Sequence, residues 1–407
     1  MIKANQYIKL AWYNILRNKG YSFLCLLGTA LAFIFITLIL QLMRICASDY
    51  PPITNADRII RLESFRDTEG NELGGISSFE INAFLESLND FEQVSLYHQN
   101  GINIVANGHL HFSGVAFVNA DFWKIFDFEF LYGRPFSKED CTNRKTAVVI
   151  TESMSHSYFN TGNSVGKKIE FQQREYEIIG IVKDLSIFVT PTDICTVWTP
   201  YVFDKFIPDG SYMYIVDVLV PPTMLVDEAK ERTAKAVSHY FENRGKKVDF
   251  PPQKIQTMKS AMNTDLNMFQ YGGFIALFLF MLIPSLNILT LSNANTNNRA
   301  EEIAVRKTFG ASRISSFFLI ITENLILTTV GAIVGLTLAI PVISIIQENI
   351  MQGSFMGNIS LISGIDYGVI FTGILPAVIV FSLLSGGISA YLIAKRPVAQ
   401  VLKGGAK

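Results

Sequence analysis

The chain has 407 residues, of which 49% are hydrophobic and 17% are charged, and its formal net charge is −1. Soluble proteins usually carry about 25% charged residues, so this composition favours an integral membrane protein. A net charge this close to zero gives no overall positive field, which argues against recruitment of nucleic acid by bulk charge.

Four apolar runs are long enough to cross a bilayer, whose hydrocarbon core takes about 20 residues of helix. They predict transmembrane helices over residues 21–43, 271–292, 314–346 and 367–394. The first run exceeds the roughly 7–15 apolar residues of a signal peptide, so we expect it to stay attached as an anchor. The third run carries one charge, Glu323.

Lysine and arginine gather on the cytoplasmic side of a membrane, and their positions here orient the four spans. They are frequent before the first span, in the connection 293–313 and after the last span, whereas the loop 347–366 contains neither. We therefore expect both termini and 293–313 on the cytoplasmic side of the inner (cytoplasmic) membrane, with 44–270 and 347–366 outside. Residues 1–20 then form a cytoplasmic amphipathic helix and 395–407 a cytoplasmic tail.

The external segment 44–270 is long enough for a folded domain of one or two lobes. Its predicted elements are a strand and a helix at 146–159, a strand pair at 167–184, a strand at 212–220 and an amphipathic helix at 223–245. Short strands mixed with helices predict a large α+β domain inserted between helices 1 and 2 of a four-helix membrane protein. A polar helical pattern over 253–270 predicts a stalk leading into the second span, matched by a stalk after the first.

The sequence contains no recognisable catalytic or metal-binding motif. The stretch GNSVGKKIE (162–170) fails as a phosphate loop because its glycines are too close and its first lysine is followed by another lysine. His109 and His111 share one strand face but lack further ligands for structural zinc, so we interpret them as surface histidines. Cys141 and Cys195 could pair in an oxidising compartment, which sequence alone leaves open. We expect no enzyme activity, metal or cofactor in this chain.

A charged helical segment, Arg299–Arg313, lies between the second and third spans. Glu302 and Arg306 form an (i, i+4) pair in the favourable order. Gly310 fits the left-handed position that ends a helix, and Ser312 can cap the next helix. The segment is therefore either a solvated loop or a rigid lever on which a cytoplasmic partner docks.

This segment resembles the R-x-x-E-I-x-[VI]-R-[KR]-x-x-G-A-[ST] signature of the MacB/FtsX-type ABC-transporter permeases. The matching positions are Arg299, Glu302, Ile303, Val305, Arg306, Lys307, Gly310, Ala311 and Ser312. Segments similar to the same family also occur at 7–28, 54–63, 121–140 and 164–184. The resemblance implies a stand-alone permease subunit with a MacB-like periplasmic core domain, in which 293–313 is the coupling helix.

The resemblance also implies a mechanism. Two permeases, identical or paralogous, assemble with two cytoplasmic ATPase subunits that bind the ATP, so this chain needs no nucleotide site of its own. Closure of the ATPases moves the coupling helices and, through the membrane helices, the external domains, with no substrate tunnel through the bilayer. The implied activity is export or extraction of a drug, peptide, toxin or lipoprotein. A periplasmic adaptor, an outer-membrane channel or a lipoprotein is a further implied partner.

Two other functions stay open at this point. An FtsX-like regulator of a cell-wall hydrolase is one, although the large external segment favours transport because FtsX-type inserts are smaller. A module that senses or resists antimicrobial peptides is the other. A membrane enzyme is disfavoured because no catalytic constellation accompanies the spans.

Residues inside the spans indicate where helices meet. Small residues four apart allow close helix approach, and this spacing occurs at Gly331 and Gly335 and at Gly386 and Ala390. These pairs either support association of permeases or reflect the ordinary use of glycine in membrane helices. Glu323 is either a polar lock that changes during the ATP cycle or a hydrogen-bonded packing residue, because intramembrane carboxylates usually face protein or water.

Overall fold

The chain divides into two compact units. The helical unit is Met1–Arg44, Phe269–Ile345 and Gly364–Lys407, and the sheet unit is Ile45–Met268 and Ile346–Ser363. The structure, a computed structural model, describes residues 4–45, 51–63, 65–66, 69, 72–74, 76–77, 81–88, 91, 93–186, 189, 191, 195–203, 213–294, 308, 312–351, 368–387 and 390–391.

The described residues begin and end with helices, and the strands lie between them with shorter helices interspersed. The helices are α1 (Ala4–Arg17), α2 (Lys19–Ile45), α3 (Ile81–Ser87), α4 (Phe122–Ile125), α5 (Lys138–Thr142), α6 (Glu152–Phe159), α7 (Val226–Glu242), α8 (Met258–Ala294), α9 (Arg313–Met351) and α10 (Leu375–Ser382). The strands are β1 (Ile59–Leu62), β2 (Phe65–Arg66), β3 (Glu72–Gly74), β4 (Ile76–Ser77), β5 (Val94–Ala106), β6 (His109–Val118), β7 (Phe130–Gly133), β8 (Ala147–Thr151), β9 (Lys168–Phe171), β10 (Arg174–Val182), β11 (Val197–Pro200), β12 (Met213–Leu219) and β13 (Gln256–Thr257). Two π turns, Ile370–Ile374 and Leu383–Gly387, flank α10.

Four helical stretches of the helical unit are long and apolar enough to cross a membrane. They are Lys19–Ile45, Gln270–Thr290, Phe317–Ile346 and Ile370–Gly387. Each overlaps one of the four predicted spans, so the prediction of four membrane-compatible helices is confirmed. Large apolar side chains are exposed on all four stretches, as expected for helices that face lipid on one side and protein on the other.

The core of the helical unit is built from all four of these stretches. Phe33 and Ile36 of α2 are fully buried, and they belong to one cluster with Leu277 of α8, Leu327 of α9 and Phe381 of α10. The rings of Phe33 and Phe381 meet edge to face, with centroids 5.6 Å apart. Because α2 contributes to this cluster along much of its length, it is the central helix of the bundle.

The sheet unit is organised around one eleven-stranded sheet. Its order is β13-β1-β12-β5-β6-β11-β8-β10-β7, with β4 added on β12 and with β9 bonded to both β10 and β5. The path from β5 through β6, β11, β8, β10 and β9 therefore returns to β5 and closes a ring of strands. The β6–β11 and β8–β10 pairs are parallel, and the remaining pairs are antiparallel.

Two hydrophobic cores lie on this sheet, and β5 contributes to both. In the first core, Phe84 of α3 and Phe241 of α7 pack with strand residues such as Leu96 at the start of β5. In the second, Tyr158 of α6 packs with residues of the ring such as Ile104 near the end of β5. The 13 residues of β5 thus join two lobes. The sheet unit is sheet-rich and also contains helices, in keeping with the mixture of strands and helices expected for an α+β domain.

Several local predictions for the sheet unit are confirmed. The strand and helix at 146–159 are β8 and α6, and the strand at 212–220 is β12. The strand pair at 167–184 is β9 and β10, joined by Gln172 and Gln173, which both have positive φ. Two positive φ values define the type I′ turn that fits the twist of a hairpin.

The predicted stalk helix at 253–270 is wrong at its start. Residues Pro252–Lys254 form a 3₁₀ turn and Gln256–Thr257 form β13, which pairs with β1. These first residues join the sheet, and the helix begins at Met258 and continues to Ala294. The matching stalk predicted after the first span covers 41–50; it is helical up to Ile45, where α2 ends, and 46–50 lie outside the described residues.

Candidate functional site

The predicted coupling segment is largely outside the described residues. This applies to Arg299, Glu302, Ile303, Val305, Arg306, Lys307, Gly310 and Ala311. Ser312 is described, and its Oγ accepts a hydrogen bond from the backbone N–H of Ser315 at 3.1 Å. This bond satisfies a donor in the first turn of α9, so Ser312 is the N-cap that the sequence predicts and fixes where α9 begins.

The start of α9 is also attached to α1. The hydroxyl of Tyr7 donates to Oγ of Ser315 at 3.0 Å, between residues 308 positions apart in the chain. Where α1 meets α2, Oγ of Ser22 donates to the carbonyl of Ile15 at 3.0 Å, which satisfies a carbonyl near the end of α1. Sequence reasoning missed the Tyr7 contact, because a single tyrosine in an amphipathic helix does not indicate its partner.

Gly331 and Gly335 of α9 lie directly against α2. A Cβ atom at Gly331 would stand 2.7 Å from the side chain of Thr29, and one at Gly335 would stand 2.7 Å from the carbonyl oxygen of Ala30. The absence of side chains therefore brings the two helices together. The helix that these glycines contact belongs to the same chain, and their expected role in association of permeases stays a prediction.

Gly386 and Ala390 lie against α9 instead. A Cβ atom at Gly386 would overlap the side-chain amide of Asn324, and Ala390 is fully buried beside Ile320. Both small residues thus let the last span approach α9 closely. As with Gly331, the contact that the structure contains is within one chain.

Glu323 is buried in the helical unit, with 3% of its surface exposed. It lies 11 residues after Ser312, or roughly 16 Å along α9 at the helical rise of about 1.5 Å per residue. Asn324 and Thr328 next to it are also buried, and Nδ2 of Asn324 donates to the carbonyl of Ile320 at 3.2 Å. Sequence reasoning missed Asn324, although a second polar residue beside Glu323 was the available signal. Glu323 therefore belongs to a buried polar strip on α9.

The sheet unit holds a buried ion pair. Arg61 of β1 stands opposite Asp217 of β12, with Nε and Nη2 at 2.8 and 3.0 Å from the two carboxylate oxygens. Arg61 also donates to the carbonyl of Pro191 and stacks over the ring of Tyr97. Asp217 is fully buried. A bidentate arginine with further partners supplies the bonds that a buried carboxylate needs.

A second ion pair in the sheet unit stabilises the start of α5. Asp140 and Ser137 form a capping box, in which each side chain accepts from the other's backbone N–H. Nη1 of Arg134 donates to Oδ2 of Asp140 at 2.6 Å. This bond from Arg134, together with the bonds from Ser137, holds the pKa of Asp140 well below its usual range.

Residues considered for metal or redox chemistry do not form a site. His109 is exposed, and the ring of His111 stacks on Tyr158 with centroids 4.0 Å apart. Burial and the nearby His109 lower the pKa of His111. Within the residues that the structure describes, no three side chains of the ligating types converge. Cys141 and Cys195 are both buried, and no disulfide joins them.

The chain matches two protein-family models that together cover most of its length. Residues 22–236 match the MacB-like periplasmic core domain, and residues 274–398 match the FtsX-like permease C-terminal domain. The chain belongs to the MacB/FtsX-like family of ABC transporter permeases. The family resemblance drawn from the sequence signature is thereby confirmed, and the four membrane-compatible helices belong to a membrane-embedded permease with an extracytoplasmic domain.

Relatives of this permease come from several bacteria. The macrolide export ATP-binding/permease protein MacB of Aggregatibacter actinomycetemcomitans is 24% identical over 80% of this chain and 51% of its own length. The uncharacterized ABC transporter permease YvrN of Bacillus subtilis is 22% identical over 70% of this chain and 72% of its own length. The chain spans about half the length of the MacB proteins of Aggregatibacter actinomycetemcomitans and Mannheimia succiniciproducens.

Solved structures of similar proteins cover the external part of such permeases. The periplasmic region of MacB from Actinobacillus actinomycetemcomitans aligns with a TM-score of 0.41 and 16% identity, over 52% of this permease and 94% of that region. The extracellular domain of the transporter YknZ from Gram-positive bacteria aligns with a TM-score of 0.38 and 18% identity, over 46% of this permease and 96% of that domain.

Proposed function

We propose that this chain is the permease subunit of an ABC transporter whose ATP is bound and hydrolysed by a separate cytoplasmic ATPase. ATP-driven closure of the ATPase pushes on the coupling segment 293–313. The push reaches the external domain through the membrane helices, which is mechanotransmission. Its work is the export or extraction of a substrate such as a drug, peptide, toxin or lipoprotein.

The observation that carries this proposal is the way α9 is anchored at its start and along its length. Ser312 caps the first turn of α9 immediately after the coupling segment. About six turns later at 3.6 residues per turn, Gly335 lies against Ala30 of α2 with no side chain between them. Displacement of the start of α9 therefore moves α2 as well, since close-packed helices are not compressible. In sequence, α2 leads directly into the sheet unit.

The remaining parts of the proposal follow from the family and from the charges. Basic residues place both termini and the coupling segment in the cytoplasm, with the sheet unit outside and inserted between the first and second spans. The assembly contains a second permease, identical or paralogous, and two ATPase subunits. The chain itself holds no cofactor. Glu323, in the buried polar strip of α9, is the proposed polar lock between helices.

The test is purification of the tagged full chain from its native membranes, with identification of associated proteins by mass spectrometry. We expect an ABC ATPase to co-purify with the wild-type chain. The double variant Glu302→Ala/Arg306→Ala should insert normally but lose the ATPase, because it removes a charged pair from the docking face. The matched control is Glu301→Ala, which lies off that face and should retain the ATPase. Equal recovery of the ATPase with all three chains would contradict the proposed docking site.

A further inference from the structure

A groove runs between α1 and α9 on the surface of the helical unit. Tyr7 and Ile8 of α1 form one wall, and a face of α9 from Phe318 to Val330 forms the other. The groove encloses about 620 Å³, which lies within the range of roughly 300–1,000 Å³ that small-molecule sites occupy. It is therefore large enough for part of a ligand rather than for a few waters.

The length of the groove corresponds to one leaflet of a bilayer. Phe318 and Val330 are 12 residues apart on α9, which is about 18 Å at the helical rise of 1.5 Å per residue. The hydrocarbon core of a bilayer is about 30 Å thick, so a single leaflet is about 15 Å deep. An acyl chain that lies along α9 in one leaflet would span the groove from end to end.

The walls of the groove offer apolar surface and no unsatisfied polar group along α9. Its two threonines donate to carbonyls of their own helix, Thr322 to Phe318 and Thr329 to Leu325, each at 2.7 Å. Their hydroxyls are therefore satisfied, and the groove presents carbon to its occupant. These walls fit a hydrocarbon chain and provide no specific bond for a polar ligand.

One end of the groove differs from the rest because it is polar, and the helix that forms its wall, α1, carries basic residues. The hydrogen bond from Tyr7 to Ser315 lies at the end where α9 begins. The sequence of α1 includes Lys9 and Arg17 and no acidic residue, and Lys9 is exposed. A ligand that complements both ends has a hydrocarbon tail and a negatively charged head.

We propose that the groove between α1 and α9 binds one acyl chain of an anionic glycerophospholipid. With the orientation proposed above, the polar end faces the cytoplasm, so the lipid comes from the cytoplasmic leaflet. Its phosphate lies near the basic residues of α1, and its acyl chain lies along the apolar face of α9. The lipid thereby fills the space between α1 and the helix that follows the coupling segment.

The first experiment measures lipid that stays bound to the purified full chain. The chain is extracted in mild detergent, washed, and examined by native mass spectrometry. We expect about one phospholipid per wild-type chain. Thr329→Trp and Ile8→Trp place an indole in the groove from opposite walls, and each should lose most of the bound lipid. Ile333→Trp is the matched control, because Ile333 is exposed one turn farther along α9 and does not line the groove.

The second experiment uses vesicles of phosphatidylethanolamine and phosphatidylglycerol, with the photoreactive group on an acyl chain of the phosphatidylglycerol. We expect cross-links to concentrate on residues 318–330 of the wild-type chain. The number of these cross-links should fall in Thr329→Trp and stay unchanged in Ile333→Trp. Wild-type chain without bound phospholipid and without these cross-links would overturn the proposal. So would equal binding by the groove variants and the control, or a bound species that is an acylated peptide instead of a phospholipid.

Discussion

At the scale of single residues, two glycines of α9, Gly331 and Gly335, allow this helix to pack closely against α2. The atom nearest to a Cβ at Gly335 is a backbone oxygen of α2, at 2.7 Å, and a backbone atom cannot rotate away as the end of a side chain can. Gly28 of α2 provides the contrast, since a Cβ there meets nothing within 4 Å. Two glycines in membrane helices thus differ completely in the cost of adding a side chain.

We expect Gly335→Leu to destabilise the helical unit by at least about 1–3 kcal/mol, the usual cost of overpacking a close-packed interior. Gly28→Leu should leave stability nearly unchanged. The difference is measured by heating the full chain in detergent and recording, by size-exclusion chromatography, the temperature at which the monodisperse peak is lost. If Gly335→Leu melts like the wild type while Gly28→Leu does not, the α2–α9 contact described above is not the one that Gly335 serves.

At the scale of secondary-structure elements, the first lobe of the sheet depends on a contact between two strands that are far apart in the sequence. Arg61 of β1 and Asp217 of β12 connect two strands that are hydrogen-bonded neighbours. Loss of one partner leaves a buried charge without compensation, which typically costs about 3–5 kcal/mol, whereas replacement of both by apolar residues is often neutral. The ion pair of Arg61 and Asp217 therefore contributes to the pairing of β1 with β12 rather than to the charge of the surface.

We expect Arg61→Met to weaken the β1–β12 pairing severely and Arg61→Met/Asp217→Leu to recover most of the loss. Hydrogen exchange of the β1 and β12 amides in the full chain is the measurement, since it reports local opening of the two strands. Arg232→Met is the matched control, because Arg232 pairs with Glu228 on the exposed face of α7 and such pairs contribute only about 0.3–0.5 kcal/mol. Similar exchange rates in Arg61→Met and Arg232→Met would show that the buried ion pair stabilises β1 and β12 no more than an exposed pair does.

Elements with local signals could be predicted from the sequence, and those that depend on distant partners could not. The β9–β10 hairpin and the Ser312 cap are specified by residues within a few positions of one another. The order of strands in the sheet is not, because Ile59 of β1 pairs with Leu219 of β12. The start of the stalk was wrong for the same reason, as Gln256–Thr257 are drawn into a strand by β1. Likewise, the hydrogen bond between Tyr7 and Ser315 has no signal in either local sequence.

At the scale of the whole molecule, the proposed mechanism separates docking of the ATPase from transmission of its motion. In this proposal Glu302 and Arg306 are docking residues, whereas Gly310 is assigned to transmission, because in the sequence it lies between the predicted coupling helix and the capped start of α9. A helix that ends in a left-handed residue turns sharply there. A stiff turn at Gly310 would pass a push on the coupling helix directly to α9.

We expect Gly310→Val to retain bound ATPase but to uncouple ATP hydrolysis from activity outside the membrane. A β-branched residue is strongly disfavoured at a left-handed position, and strain of this kind costs on the order of 1–3 kcal/mol, so the coupling helix should tilt. The measurements are ATPase activity of the purified complex and cellular export or resistance, each compared with wild type. Gly310→Ala is the milder control, and its coupling of ATP hydrolysis to transport should lie between that of Gly310→Val and that of the wild type. Full transport by Gly310→Val would mean that the segment is only a connecting loop.

The pairing of β1 has a consequence for how the protein is made. Both neighbours of β1 come from the far end of the sheet unit, since Ile59 pairs with Leu219, 160 residues later, and Ile60 with Thr257. At about 5–20 residues per second, a ribosome needs roughly 8–32 s to supply β12 after β1. During that interval α2 is already synthesised, and β1 has two open edges that other chains can pair with. Folding of the first lobe therefore waits until β12 and β13 have been synthesised, and until then β1 is open to pairing with other chains.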